Sequence, residues 1–160
     1  MKKLLLSFVG VGALTASVAL ADDTVQKNYL FVESADKVEL VDGKLVLHGV
    51  DDQVSVFADR PYRDAGVISM AHFLDVWTFG DDSFEADPPN AALSGEIDGK
   101  SHVVIVEISA PKVNGDKLEY AYKVIEGEDI GTMDNAVMFI DGWWSESYTG
   151  PFGGLPGTGG

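Results

Sequence analysis

The sequence is 160 residues long, carries a formal net charge of −15 and contains no cysteine. Its acidity excludes nucleic acids and anionic lipids as favoured partners, because their phosphates would be repelled. The absence of cysteine excludes disulfides, so an exported chain of this length would depend on packing or bound ions for its stability.

The N-terminus has the features of a secretory signal peptide. Lys2 and Lys3 are basic, residues 4–20 are almost wholly apolar or small, and residues 19–21 form a small-x-small cleavage pattern. We expect residues 1–21 to be removed after Ala21, leaving the mature chain in the periplasm or the cell exterior. The alternative is an uncleaved membrane anchor, for which the apolar run is short. No later segment is apolar enough to predict a transmembrane helix.

The predicted domain spans residues 22–142 and consists mainly of short β-strands separated by turns. Apolar and polar residues alternate in most segments, as expected for half-buried strands. The dipeptide Asp42-Gly43 is a strong hairpin signal. Residues 101–109 are the most apolar segment and are predicted to be a central strand buried on both faces. The segments are 28–34, 37–50, 53–58, 90–98, 101–109, 117–127 and 135–141.

One segment has helical rather than strand periodicity. Over residues 69–80 the apolar residues recur at positions i, i+3, i+4 and i+7, which predicts an amphipathic helix. Ser69 is placed to cap its N-terminus, and Gly80 follows its end. The apolar residues are Met70, Phe73, Leu74 and Trp77.

Seven or eight short strands with frequent turns are typical of an antiparallel sandwich or a closed antiparallel sheet. We expect a mainly β fold, namely a single antiparallel β-sandwich that is Ig-like or jelly-roll-like. One short helix is inserted between its strands. Residues 143–160 follow as an aromatic and then Gly/Pro-rich tail with the composition of a flexible linker.

Both arginines of the chain, Arg60 and Arg63, lie in the turn that follows residues 53–58. Pro61 disfavours continuation of the strand at Arg60. The pair indicates either a site for an anionic ligand or a structural clamp on a carboxylate. Because Asp59 and Asp64 flank the arginines and lower the local positive potential, the clamp is the favoured interpretation.

An acidic loop follows the predicted helix. Four carboxylates within seven residues suit Ca²⁺, which takes oxygen ligands from flexible loops. The spacing does not match an EF-hand, since Ala86 and Ala92 stand where glycine and glutamate are required. The alternative is a solvated run of charge. The candidate ligands are Asp81, Asp82, Glu85 and Asp87.

An aromatic cluster closes the predicted domain. Trp143, Trp144 and Tyr148 follow the last predicted strand. Exposed aromatic side chains stack on sugars or anchor a protein partner, and buried ones plug the end of a β fold. The second interpretation is favoured, and the first makes these residues a candidate aromatic binding surface.

Histidine and serine motifs give little support for catalysis. His48, His72 and His102 are not spaced as metal ligands, and no G-x-S-x-G motif is present. A small hydrolase would therefore need Asp and His residues that only the fold brings together. The sequence predicts no catalytic residues and no cofactor other than Ca²⁺.

Three stretches in the middle of the chain carry a family resemblance. They read FADRPYRDAG, FLDVW and DPPNAAL over residues 57–93. In this order and spacing the chain resembles a family of small exported proteins from marine and salt-tolerant microbes, which share a D-R-P-x-R turn, a helix bearing tryptophan and a P-P-N-A run. The resemblance implies a shared exported β-rich fold, with the turn, helix and loop acting as one unit. It implies no particular activity.

The sequence thus favours an exported, non-enzymatic binding or interaction module for a protein or envelope component. A Ca²⁺-binding extracytoplasmic module that uses loop carboxylates is the alternative. A small hydrolase with an unrecognised Asp/His site is the second alternative.

Overall fold

The computed structural model describes residues 27–81 and 83–144. The predicted signal peptide, Asp82, Tyr148 and the Gly/Pro-rich end of the tail lie outside the described residues. So do the side chains of Trp143 and Trp144, whose backbone ends the last strand.

Eight β-strands and one α-helix make up the described chain. The strands are antiparallel to each of their neighbours. In chain order the elements are β1 Lys27–Val41, β2 Lys44–His48, β3 Gln53–Ala58, β4 Ala65–Ser69, α1 Met70–Thr78, β5 Asn90–Ile97, β6 Lys100–Asn114, β7 Lys117–Glu126 and β8 Thr132–Trp144.

All eight strands belong to one sheet, in the order β2-β7-β6-β5-β8-β1-β3-β4. Strand β1 is long enough to pair with three neighbours. Its first half pairs with β3, its second half pairs with β2, and almost its whole length pairs with β8. The contact between β1 and β2 closes a ring of six strands, and the β3–β4 hairpin extends from that ring.

Tight turns between the strands fall where the sequence placed them. In the β1–β2 hairpin, Asp42 and Gly43 have φ of 52° and 75°, as a type I′ turn requires. Asp98 and Gly99 repeat this conformation between β5 and β6, with φ of 51° and 72°. Such turns match the twist of antiparallel strands, which explains why Asp-Gly is a reliable hairpin signal.

The hydrophobic core lies on one face of this sheet, under α1. Alternate strand residues are buried, and they join four residues of the helix in one cluster. Ser69 caps α1 by accepting a hydrogen bond from the His72 backbone N–H at 3.1 Å. Five aromatic rings pack together where the helix meets the sheet, with centroids 5.1–5.7 Å apart. They are Phe31, Phe73, Trp77, Phe84 and Tyr120.

The prediction of a mainly β antiparallel fold with one helix between strands is confirmed, and so is the helix segment with its Ser69 cap. The sandwich arrangement is not confirmed, since the strands form one hydrogen-bonded sheet. Strand β4 was missed. Among the described residues, no helix has the length and apolar character needed to cross a membrane.

The prediction that residues 101–109 are buried on both faces is wrong. Val104, Val106 and Ile108 are buried, but Val103 on the opposite face is 59% exposed. The second face of β6 lies on the outside of the sheet, so consecutive apolar residues here mark an apolar outer surface.

Candidate functional site

The arginine turn forms the loop of the β3–β4 hairpin. Backbone hydrogen bonds fix both ends, from Ala58 N to Asp64 O and from Asp59 N to Asn28 O, each 2.8 Å long. The Asp59 carboxylate accepts a hydrogen bond from the backbone N–H of Arg60 at 2.7 Å. As Pro61 suggested, the strand ends before the turn.

Arg60 and Arg63 are both exposed. Within residues 27–81 and 83–144, neither guanidinium group takes part in an ion pair with a carboxylate. The described structure therefore contains no ion pair that would make the turn a clamp. The structural clamp and the site for an anionic ligand both stay predictions for Arg60, Arg63, Asp59 and Asp64. The solvent exposure of the two arginines favours the ligand site.

The acidic loop is held by its backbone and by one aromatic anchor. Glu85 N donates to Trp77 O at 3.0 Å, and Asp87 N donates to Ser83 O at 2.9 Å. Phe84 is buried against Trp77, with ring centroids 5.1 Å apart. Gly142 on β8 makes room for this ring, because a Cβ atom there would overlap the Phe84 side chain. Sequence reasoning missed Phe84, the residue that anchors the loop.

The carboxylates proposed for Ca²⁺ point to solvent where they are described. Asp81, Glu85 and Asp87 are exposed, and Asp82 lies outside the described residues. No group of three or more His, Asp or Glu side chains in the described chain is arranged to hold a metal ion. Because one proposed ligand is not described, the calcium site stays a prediction.

The three histidines lie on separate elements, namely β2, α1 and β6. His48 has a definite partner, since its Nε2 lies 3.1 Å from a carboxylate oxygen of Glu39. Glu39 also accepts a hydrogen bond from Lys37 at 2.7 Å. These contacts, chiefly that with Lys37, hold the pKa of Glu39 below its ordinary value. This triad links β1 to β2 at the surface and does not resemble a catalytic arrangement.

A surface groove of about 380 Å³ lies where β1, β3 and β8 meet; we call it the Asp141 groove. On strand β1, Leu30 sits between Phe57 of β3 and Asp141 of β8 in one cross-strand row. Leu30 is 37% exposed and Phe57 is 48% exposed. The groove is lined by Asn28, Tyr29, Leu30, Phe57, Ala58, Asp59 and Asp141.

A smaller depression of about 220 Å³ adjoins Asp141 on its other side. Asp87, Pro88 and Pro89 of the acidic loop line it together with Phe84. Asp141 thus borders both cavities. The structure brings one carboxylate of the arginine turn and one of the acidic loop to the same end of the sheet. The backbones of Trp143 and Trp144 follow directly, opposite residues 28 and 27 of β1.

Local sequence motifs predicted only part of this groove. They pointed to Asp59 and Asp87, but Asp141 stood alone at the end of an apolar segment. Only the pairing of β8 with β1 sets Asp141 beside Leu30. The groove presents carboxylates and apolar side chains, and no lysine or arginine is among the described residues that line it. Chemically, such a surface suits a cationic group attached to an apolar one.

A buried carboxyl group lies within the core. Glu33 of β1 is 1% exposed, and its Oε1 accepts a hydrogen bond from the Tyr120 hydroxyl at 2.9 Å. Its Oε2 has no hydrogen-bond partner among the described residues. Burial raises the pKa of Glu33 from 4.5 to about 8, although the Tyr120 bond acts in the opposite direction. Alternation on β1 predicts an inward position for residue 33, but no local motif marked Glu33 as important.

No family model, curated protein or solved structure matches the chain. The family resemblance of residues 57–93 therefore stays a prediction, and the function is inferred from the site alone.

Proposed function

We propose that the protein is an exported, non-enzymatic binding module that holds a cationic partner in the Asp141 groove. The composition of this groove carries the proposal. Asp59 and Asp141 supply negative charge at its two sides, and Leu30 and Phe57 supply exposed apolar surface between them.

Charge complementarity identifies the class of partner. The chain has a formal net charge of −15, so a basic molecule is drawn to it from solution. Long-range attraction alone does not select a site on an acidic surface. The exposed Leu30 and Phe57 side chains add local apolar contact, which an isolated surface carboxylate does not offer. A segment of a protein with a lysine or arginine next to an apolar residue matches both features.

Asp141 is the residue on which the proposal depends most. Its side chain borders both the groove and the adjoining depression, and it is exposed. The Asp59 carboxylate already accepts a hydrogen bond from the Arg60 backbone, so part of its hydrogen-bonding capacity is used. A bound ammonium or guanidinium group would therefore be expected to pair chiefly with Asp141.

The test uses a short synthetic peptide of alternating lysine and leucine, titrated into the purified protein by calorimetry. Asp141→Asn is expected to weaken binding by roughly three- to tenfold, as for loss of one charge pair at a partly exposed interface. The matched control is Asp134→Asn, which removes an exposed carboxylate from the same strand far from the groove.

Equal weakening by both variants would show that net charge alone attracts the peptide, and would contradict the proposed groove. Absence of binding to the wild-type protein at low salt would contradict it as well. The calcium-binding and hydrolase alternatives gain no specific observation from the described residues. The calcium alternative is tested separately by the effect of Ca²⁺ on the melting temperature, because its candidate ligand Asp82 lies outside the described residues.

A further inference from the structure

Among the strands that the structure describes, β4 forms an edge of the sheet. Within the described part of the chain it pairs with β3 and has no strand on its other side. The remaining seven strands each have neighbours on both sides, because the contact of β1 with β2 closes the ring. An open edge presents unpaired backbone groups to any strand that approaches.

The hydrogen-bond pattern shows which residues of β4 face this open side. Ala58 N donates to Asp64 O, and Met70 N donates to Asp52 O, in the same register as the β3–β4 ladder. In an antiparallel pair such bonded residues alternate with residues whose N–H and C=O point away. Ala65 and Val67 are therefore the residues whose backbone groups point to the open edge.

Strand β4 also lacks two of the devices that usually protect edge strands. Such strands commonly carry charged side chains, especially lysine, or proline. Strands β3 and β4 read QVSVFA and AGVIS and contain no charged residue, whereas each of the other described strands contains at least one. Val67 is 54% exposed on the outer face, and Phe57, which pairs with Ala65, is 48% exposed.

We propose that β4 pairs with β4 of a second copy of this chain, antiparallel about a two-fold axis at Val67. This pairing extends the sheet from one copy into the next. It places Val67 opposite Val67 of the other copy and Ala65 opposite Ser69, with the Val67 pair joined by two backbone hydrogen bonds.

The absence of charged residues from strands β3 and β4 favours a second copy of the chain as the occupant. Two chains of net charge −15 repel each other, so a stable self-contact must avoid opposed carboxylates. In the described sheet, strands β3 and β4 meet this requirement, because they carry no carboxylate that could oppose another. A basic partner would instead be attracted to carboxylates such as those of the Asp141 groove. Self-association through β4 therefore goes beyond the proposed binding function and does not depend on it.

Cysteine crosslinking tests the geometry directly, because the natural chain contains no cysteine. Hydrogen-bonded residues opposite each other in antiparallel strands have Cα atoms about 5.5 Å apart, within the range of a disulfide. Under mild oxidation, Val67→Cys is expected to form a covalent dimer at least tenfold faster than Val103→Cys. Val103 is a matched control, since it is 59% exposed on the outer face of a strand that has neighbours on both sides. Equal rates of crosslinking would overturn the proposal.

Sedimentation equilibrium tests the association of the unmodified protein. We expect a monomer–dimer equilibrium that shifts toward dimer at higher salt, because salt screens the repulsion between the acidic chains. Val67→Glu should abolish the dimer by placing like charges opposite each other, and Val103→Glu should leave it intact. A wild-type protein that is monomeric at all concentrations, or a dimer that survives Val67→Glu, would overturn the proposal. Binding of a foreign extended peptide at β4 by a protein that stays monomeric would overturn it too.

Discussion

Replacing Glu33 with glutamine should remove most of the pH dependence of stability between pH 4.5 and pH 8. The folded chain holds a proton on Glu33 up to a pKa of about 8, because burial disfavours the carboxylate. In the unfolded chain the same group releases its proton near 4.5. Between these values the folded state binds the extra proton, so its stability falls as the pH rises.

The magnitude follows from the two pKa values. Each pH unit in this window lowers the free energy of unfolding by about 1.4 kcal/mol. The contribution of Glu33 to stability is greatest below pH 4.5, is lower by roughly 3 kcal/mol at pH 7, and is lower by roughly 5 kcal/mol above pH 8. Since single domains are stable by only about 5–15 kcal/mol, this one group is expected to have a large effect.

The Glu33→Gln side chain keeps the size of the original and still accepts the hydrogen bond from Tyr120. Its amide also brings N–H donors into a place where Oε2 of Glu33 has no partner among the described residues. That costs roughly 1–3 kcal/mol, independently of pH. The variant should therefore be less stable than the wild type near pH 5 and more stable near pH 8, and the two stability curves should cross.

Urea unfolding followed by circular dichroism, at several pH values across the window, measures both curves. Glu126→Gln is the control, because it removes an exposed carboxyl group from β7 and should leave the slope unchanged. Other groups that titrate in this range contribute equally to the wild type and the variant, so the difference isolates Glu33. A wild-type stability that is flat from pH 5 to pH 8, or a Glu33→Gln curve with the wild-type slope, would refute the reasoning.

Three further predictions concern the surface and the loop. Arg60→Ala and Arg63→Ala should each change the free energy of unfolding in urea by less than about 0.5 kcal/mol. Both side chains are exposed and form no ion pair in the described chain. A loss of several kcal/mol would instead support the structural clamp. Gly142→Ala should lower stability by about 1–3 kcal/mol in the same assay, because the new Cβ overlaps the Phe84 ring; unchanged stability would contradict that packing. The calcium hypothesis for residues 81–87 predicts a higher melting temperature in millimolar Ca²⁺ than in EDTA, and an unchanged midpoint would reject it.

Local sequence signals predicted the parts of the fold that depend on neighbouring residues. The helical spacing of Phe73 and Trp77 and the Ser69 cap defined α1 almost to the residue. Asp42-Gly43 fixed the first hairpin, since its positive φ angles suit these residue types. Strand β4 was missed because five residues with two small side chains give a weak alternation signal.

Features that depend on long-range pairing could not be predicted in the same way. The closed ring arises because β1 pairs with β2 and β8 at once, and no periodicity within β1 encodes both partners. The Asp141 groove and the Glu33–Tyr120 hydrogen bond have the same origin, since their residues are far apart in the sequence. The acidic loop was noticed for its carboxylates, whereas its anchor is the one aromatic residue between them.

Two glutamates on β1 act on stability in opposite directions as the pH changes. Glu39 has its pKa lowered by Lys37 and His48, so its contribution is present above its ordinary value of 4.5 and is lost as the pH falls through the lowered value. Glu33 has a raised pKa, so stability is lost as the pH rises from 4.5 toward 8. Repulsion among the surface carboxylates also weakens in mild acid, because some of these groups become protonated. Together these effects place the stability maximum in mild acid rather than at neutral pH, and Glu33 is the group that moves it there.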